Sequence, residues 1–270
     1  MKIITSNKNS LIKKIKTLQR KSSQRKKSKS FVAEGDKEIE KALKNKYKIE
    51  SLFISENSSL IVFNKKDNLS QHLKNCFLVK SDLFKKICYR SSDNNVIAII
   101  KEKEHTFNNL VIPKKSLIII IQSPEKPGNI GAIIRTITAA KIDLLIIADP
   151  KTDLYNPNII RSSLGNVFSL PIIIDTSENI INFLKTNKIE IIVTDLNEKS
   201  LYHDEIDYNL PLALVLGSEN KGVDDNWIQN SDYSVKIPMK PDVDSLNLSV
   251  SAGILIYHII KKVKRIKLIK

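Results

Sequence analysis

From Leu117 onward the chain alternates short, almost uninterrupted apolar runs with segments of helical period, and that rhythm admits few folds. The runs are Leu117 to Ile121, Leu144 to Ala148, Ile172 to Ile174, Glu190 to Thr194, Leu212 to Leu216 and Ser234 to Ile237. A strand with one wet face alternates apolar and polar residues. A run that is apolar throughout predicts burial on both faces, and hence a mostly parallel α/β sheet with helical crossovers. Ligands collect beyond the carboxyl ends of such strands, so the loops at 122–130, 195–199, 217–223 and 238–247 are where a site is expected.

The first part of the chain reads differently. Between Phe31 and about Lys101 the pattern predicts a small mixed domain. A helix is expected at Asp36 to Lys46, and short strands at Ser51 to Ile54, Leu60 to Phe63, Phe77 to Val79 and Val96 to Ile100. Residues 102–115 are charged, contain Pro113 and keep no period, which makes them a linker between a domain at 1–101 and one at 116–270.

Charge is informative once it is located. Residues 1–30 hold eleven Lys/Arg and no acid, residues 261–270 hold six and none, and the 27 basic and 29 acidic residues between nearly cancel. Such blocks attract a phosphate backbone, because counterion release drives binding; a solvated tail is the alternative. The acid-free start also has the composition of a transit peptide, or of an amphipathic helix with Leu11, Ile15 and Leu18 on one face. No apolar run reaches the ~20 residues a membrane-spanning helix needs, and no secretory signal is visible. Cys76 and Cys88 lack ligand spacing, so they are expected to be buried free thiols in a reducing cytoplasm, with no metal site.

The loops carry the chemistry. In QSPEKPGNIGAIIRTITAAK, Gly128 and Gly131 flank the expected start of a helix with Arg135 about one turn in, but the glycines miss the dinucleotide fingerprint. Arg135 with Asn129 could hold a phosphate, or Arg135 could pair with a surface carboxylate. LGSENKGVDD has phosphate-loop glycine spacing at Gly217 and Gly222, yet Val223 and Asp224 stand where Lys and Ser/Thr are required. IPMKPDVDSLNLSVSAGILIYHI joins a strand to a helix through a polar entry where Asp244 or Ser245 is expected to cap.

Taken together, PGNIGAIIRTITAA, LGSENKGV and IPMKPDVDSLNLSVSAG resemble, in this order, the three motifs of the SpoU (TrmH-like) RNA 2′-O-ribose methyltransferases. NPNIIRSSLGNVFSLPI is similar to the family's segment between the first two motifs, and FVAEGDKEIEKAL to its L30e-like substrate-binding domain, so the likeness spans nearly the whole chain. It implies a small L30e-like α/β domain followed by a SPOUT-type domain whose carboxyl end forms a deep trefoil knot and binds S-adenosylmethionine. By matching positions it implies Gly217, Ile237 and Leu246 in the cofactor pocket, with Leu216 and Leu196 as neighbours. Asn129, Arg135, Glu219, Ser245 and Asn247 become the catalytic and substrate-orienting set.

It further implies a homodimer with the helix after Asn247 near the interface, and RNA as partner, ribosomal RNA of the large subunit before transfer RNA. Two departures stand out: Lys141 replaces a Gly common after the first motif, and Pro241 to Asp244 varies a stretch that often holds Gly and Glu. Arg135 is expected to anchor the target phosphate and stabilise the oxyanion while the proton leaves to a nearby acceptor, since a guanidinium stays protonated. A non-catalytic RNA-binding protein and another nucleotide-using α/β enzyme are the competing classes.

Overall fold

A computed structural model of the chain describes residues 2–58, 75–89 and 95–263. The strand expected at Leu60 to Phe63 and most of the basic carboxyl end lie outside the described residues. Two compact units emerge, one of Met1–Lys103 with Asp153–Ser169 and one of Glu104–Thr152 with Leu170–Lys270.

The first unit begins with strand β1 (Lys2–Ile4) and helices α1 (Ser10–Arg20) and α2 (Ser22–Ser28). Strand β2 (Ser30–Glu34), helix α3 (Asp36–Lys44), strands β3 (Ile49–Ser55) and β4 (Cys76–Val79), helix α4 (Ser81–Ile87) and strand β5 (Val96–Lys101) follow. The sheet order is β1-β4-β3-β5-β2, with parallel pairing at β1, β4 and β3 and antiparallel pairing at β5 and β2.

The basic start is no loose tail. Asn9 caps α1 by accepting from the Leu11 N–H at 2.9 Å, and the helix buries Ile12, Ile15 and Leu18 against Phe53, Phe84 and Ile97. Leu11, half-buried, packs against the same cluster as Ile15 and Leu18, and Ile12 joins them fully buried. Cys76 is buried and Cys88 half-buried; burial, then Glu34, pushes the Cys88 thiol up to about 12.

One segment departs from the expected boundary: Asp153–Ser169, with helix α6 (Pro157–Ser162), packs into this unit. Tyr155 stacks on Phe31 with centroids 4.2 Å apart, and Phe168 lies 5.7 Å from the same ring. Gly165 sits at φ +72, and a Cβ there would stand 2.9 Å from Glu38 Cα, so only glycine fits the approach. Lys41 Nζ donates to the Leu164 carbonyl at 2.7 Å and to Asn166 at 2.5 Å.

Arg25 and Asp153 form a bidentate pair, Nε to Oδ1 at 3.0 Å and Nη2 to Oδ2 at 2.5 Å, with side chains only 6% and 10% exposed. Removing one partner of such a pair strands the other charge, so Arg25→Ala should cost about 3–5 kcal/mol, whereas Arg25→Met with Asp153→Leu should cost far less. Urea unfolding measures both; equal losses in the two variants would contradict the argument.

In the second unit the predicted parallel sheet is present. Its strands are β6 (Leu117–Gln122), β7 (Leu144–Ala148), β8 (Ile172–Asp175), β9 (Glu190–Thr194), β10 (Leu201–Tyr202), β11 (Leu212–Leu216) and β12 (Tyr233–Lys236). All pairings are parallel, in the order β10-β12-β9-β11-β6-β7-β8. Helices α5 (Pro127–Ala139), α7 (Ser177–Thr186), α8 (Asp225–Gln229) and α9 (Leu248–Lys262) connect or end them, and α5 packs on α9.

Strands β6, β7 and β11 are buried at every position, which is why their sequences never alternate. Residues 104–115 are more than a linker: Phe107, Leu110 and Ile112 pack on the core that contains Ile118, Val215 and Trp227. Lys141 follows the last turn of α5 at φ 51, the left-handed position where the family's glycine would be at ease. No helix among the described residues is long and apolar enough to cross a membrane.

Candidate active site

Register brings the loops together. Leu216 pairs with Ile121, Val215 with Val193, and Thr194 with Val235, so β6, β11, β9 and β12 end level with one another. Leu216 and Gly217, Leu196, Ile237 and the start of α5 therefore emerge at one carboxyl edge, as a parallel sheet requires. Leu216 is buried, Ile237 and Leu246 are half-buried, and Leu196 is exposed on a loop whose Asn197 and Glu198 carbonyls accept from Lys236 Nζ at 3.2 and 3.3 Å.

The 217–222 turn is unusually closed. Ser218 N–H donates to the Gly222 carbonyl at 2.9 Å and Gly222 N–H returns to Ser218 at 3.0 Å, with Gly222 at φ +70. A Cβ on Gly217 would lie 2.1 Å from the Gly222 carbonyl carbon. The turn holds Glu219 at its tip.

Three of the five expected catalytic residues meet there. Asn129 Nδ2 donates to Glu219 Oε1 at 2.6 Å, and Asn247 Nδ2 donates to Asn129 Oδ1 at 3.2 Å. Asn129 can do so because Pro127 opens α5, its fixed φ suiting the first turn, and sets Asn129 two residues on. Asn247 is itself the cap of α9, accepting from the Ser249 N–H at 2.9 Å and its hydroxyl at 2.7 Å.

Capping by Asp244 or Ser245 is thus corrected: the helix starts later, at Leu248, and both residues stay exposed in the preceding loop. Arg135 is corrected in place as well. Because α5 starts at Pro127, Arg135 lies a little over two turns in, about 12 Å along the axis, not one. It is exposed, and no hydrogen bond or ion pair joins it to any described residue.

Sequence reading missed the braces around this line. Gln122 and Asp224 clasp each other, the Asp224 N–H donating to Gln122 Oε1 at 2.9 Å while Gln122 Nε2 donates back to the Asp224 carboxylate. Glu125 accepts from Lys151 at 2.5 Å and Asn220 at 3.0 Å, and the Lys151 contact holds its carboxyl below the usual range. No local pattern could announce these pairs, since Gln122 and Asp224 meet only once β6 lies beside β11. The 238–246 main chain has one hydrogen bond among the described residues, Val243 N–H to the Lys240 carbonyl at 3.0 Å. It leaves free backbone donors and acceptors beside half-buried aliphatic side chains, a surface suited to a nucleoside.

Known proteins resemble this chain along most of its length. A model described as the SpoU rRNA Methylase family matches residues 116–257, and one described as an MRM3-like substrate binding domain matches residues 9–98. The 23S rRNA (guanosine(2553)-2′-O)-methyltransferase RlmP of Bacillus subtilis is 27% identical over 259 residues, 96% of this chain and 99% of that protein. An uncharacterized tRNA/rRNA methyltransferase of Borreliella burgdorferi is 31% identical over 83% of this chain and 92% of its own length. A crystal structure of AdoMet-bound rRNA methyltransferase from Sinorhizobium meliloti, 25% identical, superposes with a TM-score of 0.87 over 96% of this chain and 97% of that one.

Proposed function

The chain belongs to the SpoU rRNA methylase family and is an S-adenosylmethionine-dependent RNA 2′-O-methyltransferase, and we propose that its target is a ribose of large-subunit ribosomal RNA. The observation that carries the site is the Glu219–Asn129–Asn247 line, which joins all three loops at the carboxyl edge of the sheet. The ribosomal target rests on likeness to a 23S rRNA methyltransferase over 96% of the chain. Incubation of the protein with labelled S-adenosylmethionine and total RNA from cells lacking it tests the target: label should enter the large-subunit RNA, and label confined to transfer RNA would sink the choice.

Gly217, Ile237 and Leu246, with Leu216 and Leu196, would hold the methyl donor, and the free backbone groups of 238–246 support that assignment. When bound, S-adenosylmethionine supplies an electrophilic methyl group on a sulfonium. The protein's own part is to orient the ribose and dispose of a proton. Arg135, an exposed guanidinium with no hydrogen bond or ion pair to any described residue, serves as anchor for the target phosphate and the developing oxyanion. Ser245, exposed in the same loop as Leu246, is assigned to the nucleotide.

The knotted threading of the carboxyl end belongs to this reading, supported by α9 packing on α5. So does a homodimer: Val250, Ile254 and Tyr257 form a stripe on α9 that is 49, 38 and 46% exposed, more apolar surface than a lone helix face should leave wet. Sedimentation of the full chain tests it, and a monomer at micromolar concentration would contradict it.

The first unit is assigned to RNA binding, in keeping with its substrate-binding match. Because α1 supplies core residues, removing residues 1–30 would unfold the unit, so exposed charges are the proper probe. Replacing Lys13, Lys21, Lys26 and Lys27 with alanine should flatten the slope of log K against log salt by about 3, at ~0.7 per phosphate contact on single strands. An unchanged slope would make that face a bystander.

A further inference from the structure

The line that joins the three loops has a direction, and its last member is incomplete. A carboxylate only accepts, so Asn129 must turn its amide nitrogen to Glu219, which leaves its oxygen to accept from Asn247. The Asn247 oxygen is in turn taken by Ser249 at the start of α9. Every donor therefore points toward Glu219. Oε1 ends the line, while Oε2 of the same half-buried residue is a buried atom with no hydrogen-bond partner among the described residues. A buried acceptor left without a donor is costly, and such groups in a native protein call for a role.

The alternatives within these loops fail on chemical grounds. A guanidinium carries donors and no acceptor, which excludes Arg135, and the loops at 122–130, 217–223 and 238–247 contain no His, Cys or Tyr. Glu125 has both oxygens engaged, by Lys151 and Asn220. Asp242 and Asp244 are exposed, and no hydrogen bond or ion pair to a described residue aims them.

The geometry points to Glu219 Oε2 as the acceptor of the ribose 2′-hydroxyl proton, an inference that rests on the methyl-transfer reading above. The O–H bond of the hydroxyl breaks and its proton bonds to Oε2. The electron pair left on the 2′-oxygen forms the bond to the methyl carbon as that carbon's bond to sulfur breaks, its pair passing to sulfur. A carboxylate and a sulfonium become a neutral acid and a neutral thioether, and the acid gives up its proton to solvent only after product leaves and the site opens. Asn129 is then a positioning residue, which pins Oε1 and so aims Oε2.

The test compares full-length wild type, Glu219→Gln and Glu219→Ala on large-subunit RNA from cells lacking the protein. Labelled methyl transfer is read in one arm; binding of that RNA and of S-adenosylmethionine is read separately in the other. Glu219→Gln should lose about 10³-fold in kcat, the middle of the range for a general base, with both Kd values within about threefold of wild type. Formate, a small carboxylate, should raise the rate of Glu219→Ala in proportion to its concentration.

A kcat within about tenfold of wild type, a parallel loss of binding, or a formate-independent rate in Glu219→Ala would overturn the inference while the function stands. A wild type that binds this RNA but transfers no label to any RNA would overturn the function itself and the inference with it.

Discussion

Gly217→Ala is expected to give a folded protein that has lost S-adenosylmethionine affinity by about 100-fold. The added Cβ would stand 2.1 Å from the Gly222 carbonyl carbon and 2.3 Å from both its oxygen and the Val223 nitrogen. All three are main-chain atoms, so no side chain can swing aside, and the paired Ser218–Gly222 hydrogen bonds must break or stretch. Forced overpacking of this kind costs about 3 kcal/mol at the upper end, which at ~1.4 kcal/mol per decade is the stated loss if the open turn is the one that cannot bind. The strands beneath keep their buried faces, so the unfolding temperature should fall only by ~6–12 °C, at about 2–4 °C per kcal/mol for a chain of this size. Calorimetric titration with the cofactor decides: unchanged affinity would mean that the turn is not part of the pocket.

Arg135→Ala should abolish transfer in the opposite manner, lowering kcat about 10³-fold while the cofactor Kd stays where it was. The side chain is exposed and bonded to no described residue, so its removal orphans nothing and stability should change by less than about 0.5 kcal/mol. Arg135→Lys should recover little, because a point charge cannot reproduce the planar fork that grips a phosphate. Single-turnover kinetics with separate titrations of RNA and cofactor read the split. Equal loss of cofactor affinity would move Arg135 out of the substrate side of the site.

The contrast between these two residues marks what sequence can and cannot say. The β-branched runs at Leu117, Leu144, Glu190 and Leu212 are legible because a strand buried on both faces leaves no room for polar alternation. The site loops follow from strand polarity alone, and their residues from the order of three motifs. Strand order is not legible. Asn129 meets Glu219 across 90 residues of sequence, and Gln122 meets Asp224 across 102, only because β6 lies beside β11. The start of α9 is ambiguous in the sequence because Asp244, Ser245 and Asn247 are all good caps, and in the fold the cap is the one whose amide also reaches Asn129. Chain position, between β7 and β8, places residues 153–169 with the second domain; the rings of Tyr155 and Phe168 against Phe31 outweigh that adjacency.

That last arrangement sets a clock on biosynthesis. When residues 1–103 have been made, every strand described in the first sheet exists, yet Arg25 still lacks its carboxylate and Phe31 still lacks the rings of Tyr155 and Phe168. The missing pieces end at Ser169, 66 residues after Lys103, and at ~5–20 residues per second they arrive roughly 3–13 s later. The nascent amino-terminal unit must wait that long with a basic surface and an unfinished aromatic seam, beside the class of RNA proposed as its substrate.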